Sequence, residues 1–267
     1  ALLESLDSID PEEVKLVNAD ALALMEIEVE WLIKPLIPLG AVTIIGGDAG
    51  VGKSWLALSL CHAVANGVDK WLGQHFINRH GPTLYIDCEA GEAGMRDRLL
   101  ELDAAHGVVV DVWEETEARR LDFAFFPQLE LGPRIGRLEG ILRDRKIKLV
   151  VFDSLLAMCP PWANPNNNAD VVRLLRPVRR LAHRCGCAAV VIHHMKKQQA
   201  FADNSPQARI MGGVMMVGEP DSAIAMIGTR EGEKAIVPLK ARLAKSLVPA
   251  FKVAWGAGND GKGTLLH

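Results

Sequence analysis

The chain has 267 residues, 49% hydrophobic and 24% charged, with a formal net charge of −3. That is enough apolar material for one large domain or two small ones, and no apolar stretch reaches the length of a membrane span. The slight acidic balance excludes a global basic field for nucleic acid, so any such contact has to be local.

In chain order, residues 1–40 read as a lead-in, packed on the core or on a neighbouring subunit, to a domain spanning 41–267. Asp10 is placed to cap a short helix, with Pro11 at its first position. Trp31 to Gly40 is apolar but punctuated by Pro35 and Pro38, which predicts an extended segment packed on the domain. Ala41 to Ile45 is a buried strand. Trp55 to Ala65 is a helix ended by Asn66-Gly67. Strands are expected at Thr83 to Asp87, Val108 to Val112, Leu149 to Asp153 and Ala188 to His194, and helices at Glu92 to His106, Arg134 to Arg145 and Asp170 to Cys185. Three β-rich runs follow, Ser222 to Gly228, Lys234 to Lys240 and Ala250 to Trp255, read as antiparallel additions at one sheet edge. Continuously apolar strands separated by helices predict an α/β fold with a mainly parallel sheet covered on both faces. The polar segments 159–168 and 196–213 each follow a sheet strand. They are either ligand-binding loops at carboxyl strand ends or solvated connectors.

The five cysteines, at positions 61, 88, 159, 185 and 187, lack metal-ligand spacing. Cys61 and Cys88 fall in apolar stretches, where buried reduced thiols are expected. With an acidic N-terminus and no signal-peptide pattern, a reducing cytoplasm is the expected location.

Chemistry concentrates at Gly47-Asp48-Ala49-Gly50-Val51-Gly52-Lys53-Ser54, a complete G-x-x-x-x-G-K-S loop between a strand and a helix. Its glycines let the backbone close around phosphate oxygens, while its N–H groups and the helix N-terminus face the anion. Lys53 supplies a charge to the β and γ phosphates of ATP, and Ser54 a hydroxyl to Mg²⁺. Asp153 ends a strand, as a carboxylate that holds Mg²⁺ would; the alternative is a turn residue. Asp87 and Glu89 share one face of another strand end, and either suits the orientation and deprotonation of water. In the pair His193-His194 adjacent side chains point opposite ways, so one imidazole reaches the site, where it can contact the γ phosphate.

These residues together resemble the RecA-like P-loop ATPases, and more narrowly the AAA_25 branch that includes hexameric replicative helicases of some plasmids. The likeness is carried by Val29 to Leu32, Gly47 to Ser54, Leu84 to Glu89, Leu149 to Leu155, the stretch Leu174 to Ala182 and Val191 to His194. It implies Mg-dependent ATP hydrolysis, with Gly47 to Trp55 around the nucleotide and Ser54 and Asp153 on the metal. It implies Glu89 as the residue that activates water and His194 as the sensor coupling γ phosphate to a DNA-facing loop. Members carry Arg-Gly-Ser-Ser after that loop; here Met211 stands in the arginine position, with Arg209 nearby. Ring ATPases of this class also carry a Lys-x-Arg pair that reaches a neighbour's nucleotide, which Lys240 and Arg242 resemble. The alternative for that pair is a basic, solvated edge strand.

Candidate contacts to single-stranded DNA are Lys196, Lys197 and the loop 163–168, with Trp162 and Phe201 as the aromatic groups available for stacking. The arginines of the helix from Asp170, among them Arg173, Arg176, Arg179 and Arg180, read as a solvated face. The leading expectation is a homo-oligomeric, hexameric DNA helicase or translocase linked to plasmid or phage replication. A second reading is a regulatory ATPase that switches partner binding without unwinding. A third, a phosphotransferase, lacks an acceptor site or lid.

Overall fold

The computed structural model describes residues 17–26, 28–108, 120–125, 129–195, 205–206, 215–228, 233–256 and 265–266. In chain order the elements are α1 (Ala19–Leu24), β1 (Trp31–Ile33), β2 (Ile37–Pro38), β3 (Val42–Gly47), α2 (Lys53–Ala65), β4 (Lys70–Trp71), β5 (His75–Phe76) and β6 (Thr83–Asp87). There follow α3 (Gly91–His106), β7 (Leu121–Phe125), a 3-10 helix (Pro133–Leu138), α4 (Glu139–Asp144), β8 (Leu149–Asp153), α5 (Asn168–Cys185) and β9 (Ala188–His194). The chain continues through α6 (Met215–Gly218), β10 (Ser222–Gly228), β11 (Lys234–Ala241), β12 (Phe251–Val253), β13 (Trp255–Gly256) and β14 (Leu265–Leu266).

Eight strands form the central sheet in the order β12-β11-β10-β3-β9-β8-β6-β7. From β10 to β7 every pairing is parallel; β11 and β12 add antiparallel strands at one edge. The fold is thus a RecA-like α/β sheet. The carboxyl ends of the parallel strands share one edge, where ligands bind in open α/β sheets.

Side chains alternate between the two faces of each strand, and this sorts the core. Ile45, Tyr85, Val151 and Ile192 pack with Leu56, Leu60 and Val64 of α2 on one face. Ile44, Ile86, Val150 and Val191 pack with Val171, Leu174 and Val178 of α5 on the other. α2 buries residues all round, as a helix wedged between sheet and neighbours must. Truncating one of its buried leucines, such as Leu56, to alanine would cost about 2–5 kcal/mol. α5 is amphipathic. Asn167 caps its start by accepting from the N–H groups of Ala169 and Asp170, and Gly186, at φ 62°, closes it.

The structure revises several expectations. β10 continues the parallel sheet beside β3, because its alternating residues fit both core layers; only β11 and β12 are antiparallel. Residues 31–38 form the small hairpin β1–β2, with Trp31, Leu32, Ile33 and Ile37 buried. The helix expected over 134–145 begins as a 3-10 helix. β7, the outer parallel strand, was not read from the sequence, and positions 109–112 of the expected strand lie outside the described residues. The helix expected after Asp10 also lies outside them; α1 is capped by Asn18, whose side chain accepts from Asp20 N–H. Among the described residues no helix is long and apolar enough to cross a membrane.

Candidate functional site

Two glycines are required by the geometry of the phosphate loop. A Cβ on Gly47 would sit 2.5 Å from the carbonyl oxygen of Met226 on β10, and Gly52 adopts φ 106° where α2 begins. Val51 N–H closes a turn onto the Asp48 carbonyl at 3.3 Å. Lys53, only 5% exposed, points back into the loop and donates to the same carbonyl at 2.8 Å. Burial lowers its pKa, opposed by the nearby carboxylates of Asp153, Glu89 and Asp48. Trp55 is partly buried against the α2-side core. The loop thus holds a cation above the carboxyl edge with its N–H groups at a helix start, an arrangement suited to polyphosphate.

The period-two alternation then decides which strand-end groups face this loop. Asp87, Asp153 and His194 fall in step with Tyr85, Val151 and Ile192, on the α2 face. His193 falls in step with Val191, on the α5 face, where it is buried and its Nδ1 has no hydrogen-bond partner among the described residues. Burial, with His194 and Lys53 nearby, pushes its pKa down to about 4.

Asp153 accepts a 2.6 Å hydrogen bond from Tyr85 Oη on its Oδ2, whereas its Oδ1 is buried without a partner among the described residues. Burial raises its pKa, and the hydroxyls of Tyr85 and Ser54 pull it partly back. A buried carboxylate oxygen with no partner, beside a serine hydroxyl, is a pair of hard oxygen donors that fits Mg²⁺.

Asp87 and Glu89 separate in role. Asp87 accepts from the backbone N–H groups of Glu89, Ala90 and Gly91, at 3.4, 3.1 and 2.6 Å, and so shapes the turn into α3. Glu89 accepts a hydrogen bond from Ser154 Oγ on Oε1, and the same oxygen lies 3.6 Å from His194 Nε2. The other ring nitrogen of His194, Nδ1, lies 3.5 Å from Lys53 Nζ. An ammonium has only protons to offer, so the tautomer compatible with both neighbours carries its proton on Nε2, toward the carboxylate.

The Lys240–Arg242 pair sits elsewhere. Ser222, opposite Thr43 of β3, also pairs with Ala241, whereas Met226 is opposite Gly47. Four strand residues, about 13 Å, therefore separate the level of Ala241 from the phosphate loop. There Arg242 Nη1 meets Asp221 Oδ1 at 3.0 Å and Nη2 donates to the Gly218 carbonyl at 2.8 Å. Lys240 Nζ donates to the carbonyls of Val217, at 2.9 Å, and Gly218. Both cations meet at Gly218, so they share a face as their spacing predicts. Arg179, expected in solvent, turns inward to Glu219 Oε1 and Asp221 Oδ2, both at 3.1 Å.

Tyr85 and Ser154 were not singled out from the sequence. Tyr85 had a signal: it precedes Asp87 by two on a strand whose register places Asp87 opposite Asp153. Ser154 had none, since its role depends on Glu89 arriving from another strand. The loop 163–168 proves to be a capping loop. Asn164 Oδ1 accepts from Asn166 N–H at 2.9 Å, Asn167 caps α5, and Asn168 Oδ1 accepts from Met215 N–H at 3.2 Å. Lys196, Lys197, Phe201, Arg209 and Met211 lie outside the described residues.

The model of an AAA domain family, AAA_25, matches residues 10–200 of the chain. No curated protein matches it.

Proposed function

The chain belongs to the AAA_25 family of AAA domains, P-loop proteins that bind nucleotide, and from that premise we propose that it is a Mg-dependent ATPase that drives a homo-oligomeric, hexameric DNA helicase or translocase in plasmid or phage replication. The observation that carries the hydrolytic reading is the succession Lys53–His194–Glu89, 3.5 and 3.6 Å apart, at the mouth of the phosphate loop.

Lys53 and the loop N–H groups bind the phosphates and stabilise charge developing on the transferred group. Glu89, held by Ser154, orients water and accepts its proton. Water oxygen bonds to the γ phosphorus, the bond from that phosphorus to the bridging oxygen breaks, and ADP leaves with the electron pair. Ser54 and Asp153 would hold Mg²⁺, which would supply neutralisation of the phosphate charge. His194 lies near both Lys53 and Glu89 and stands two residues before the segment from 196, so it suits a sensor of the γ phosphate.

Arg242 is too far along the sheet to serve its own phosphate loop. A finger role for it therefore requires a second copy of the chain. The test is ATP turnover with and without single-stranded DNA at low salt, where phosphate-backbone binding is strongest. Stimulation favours the motor. Turnover indifferent to DNA replaces it with the regulatory switch.

A further inference from the structure

Every described residue from 17 to 30 is solvent-exposed, although the stretch carries Val17, Leu22, Leu24, Met25 and Val29. Leu24 is 86% exposed, and α1 buries nothing. Apolar side chains held clear of a core in this way call for a cover. The same stretch contains Asp20, Glu26, Glu28 and Glu30 and no lysine or arginine.

The amino edge of the sheet offers the complement. Two hollows of about 640 and 630 Å³ lie there and share Leu243, itself 41% exposed. The first is lined by Arg180, His183 and Arg184 beside Gly40. The second is lined by Lys34, Lys245 and Trp31. The one carboxylate lining the first, Asp221, is already engaged by Arg179, Arg242 and Val42 N–H, and Arg184 meets Glu139 at 3.7 Å, so Arg180 is the cation the first hollow offers among the described residues. Glu28 and Val29 reach the rim of the second hollow, but none of residues 17–26 lines either one.

We propose that residues 17–26 of one copy dock into this basic, apolar-floored trough of a second copy, with Leu22, Leu24 and Met25 over Leu243 and the acidic groups toward Lys34, Arg180 and Lys245. The lead-in is then a subunit-joining arm. Its docking places the junction beside Arg242, where a neighbour's nucleotide would have to lie for that residue to act. The inference rests on the oligomeric reading above.

The test uses the full chain with a non-hydrolysable ATP analogue, measuring assembly by sedimentation velocity. Leu22→Asp/Leu24→Asp alters only exposed side chains, so folding is retained. It is expected to weaken assembly on the order of tenfold or more, the effect of losing about 1.4 kcal/mol. Arg180→Glu/Lys245→Glu should weaken it likewise, and adding Asp20→Lys/Glu26→Lys, both exposed and within the docking segment, to that chain should restore part of the loss. In a mixture of chains carrying Leu24→Cys with chains carrying Leu243→Cys, mild oxidation should join the two kinds, above the background of a mixture lacking both. Assembly that is indifferent to the aspartate pair, or a mixture in which the two kinds of chain do not join above background, overturns the arm. A wild-type chain that stays monomeric with every nucleotide overturns the oligomeric reading itself.

Discussion

His194 Nδ1 lies 3.5 Å from Lys53 Nζ, across the gap between β9 and the start of α2. The register that pairs His194 with Gly47 places the imidazole at the level of the phosphate loop, and its other nitrogen faces Glu89. A γ phosphate drawn to Lys53 would share that ammonium with the imidazole, two residues before the segment from 196, and this is the basis of the proposed sensor role. His194→Asn is expected to leave ATP affinity within about threefold while removing stimulation of turnover by DNA. Unchanged stimulation, read by steady-state turnover, would move the sensor elsewhere.

His193 gives a pH dependence with a definite sign. Its pKa of about 4 in the folded chain lies below the ordinary value of 6.5. Between those values the unfolded chain binds more protons, so stability falls as pH drops through that window and is intact above it. The slope from this group approaches about 1.4 kcal/mol per pH unit. His193→Asn should flatten the urea-unfolding free energy between pH 6.5 and pH 4; an unaltered slope would place the acid sensitivity in other groups.

Asp153 has the opposite character. Its raised pKa means the folded chain holds the proton longer, so this group's contribution to stability declines as pH rises above the ordinary carboxylate range. Asp153→Asn keeps an acceptor for Tyr85 Oη and removes a buried charge. The variant should melt higher than wild type at pH 8, by about 2–4 °C per kcal/mol recovered, with a smaller gap at pH 5. It should also lose Mg-dependent turnover. A variant that melts lower at pH 8 would mean the charge is better compensated than its buried Oδ1 indicates.

Arg242→Ala leaves Asp221 bonded to Arg179 and Val42 N–H, so the sheet edge should survive the change. Turnover is expected to fall on the order of a thousandfold if the guanidinium completes a neighbour's site. Mixing Arg242→Ala chains with Lys53→Ala chains should restore part of it, because a site with an intact Lys53 then meets an intact Arg242. No recovery where mixed assemblies form would leave Arg242 as a structural partner of Asp221.

Legibility from sequence followed locality. The phosphate loop, β3, β6, β8 and β9 are contiguous apolar runs with punctuated ends, and they lie where their patterns place them. The choice of His194 over His193 also follows from alternation once Ile192 is seen to face α2. What escaped was set by pairing between distant segments: β10 joins the parallel sheet through β3, Ser154 is defined by Glu89, and Arg179 is drawn inward by Glu219 and Asp221. The Asn-rich loop was legible only as polar turn formers, because asparagines that cap a helix and asparagines that touch a ligand are the same residues in a string.

The most direct test of the hydrolytic site is Glu89→Gln, assayed for ATP binding and turnover in the presence of Mg²⁺ and single-stranded DNA. Glutamine can still accept from Ser154 but takes no proton from water. Nucleotide affinity should stay near that of wild type while turnover falls about 10²–10⁴-fold. Turnover at the wild-type rate would contradict the account and return the base to an unassigned residue.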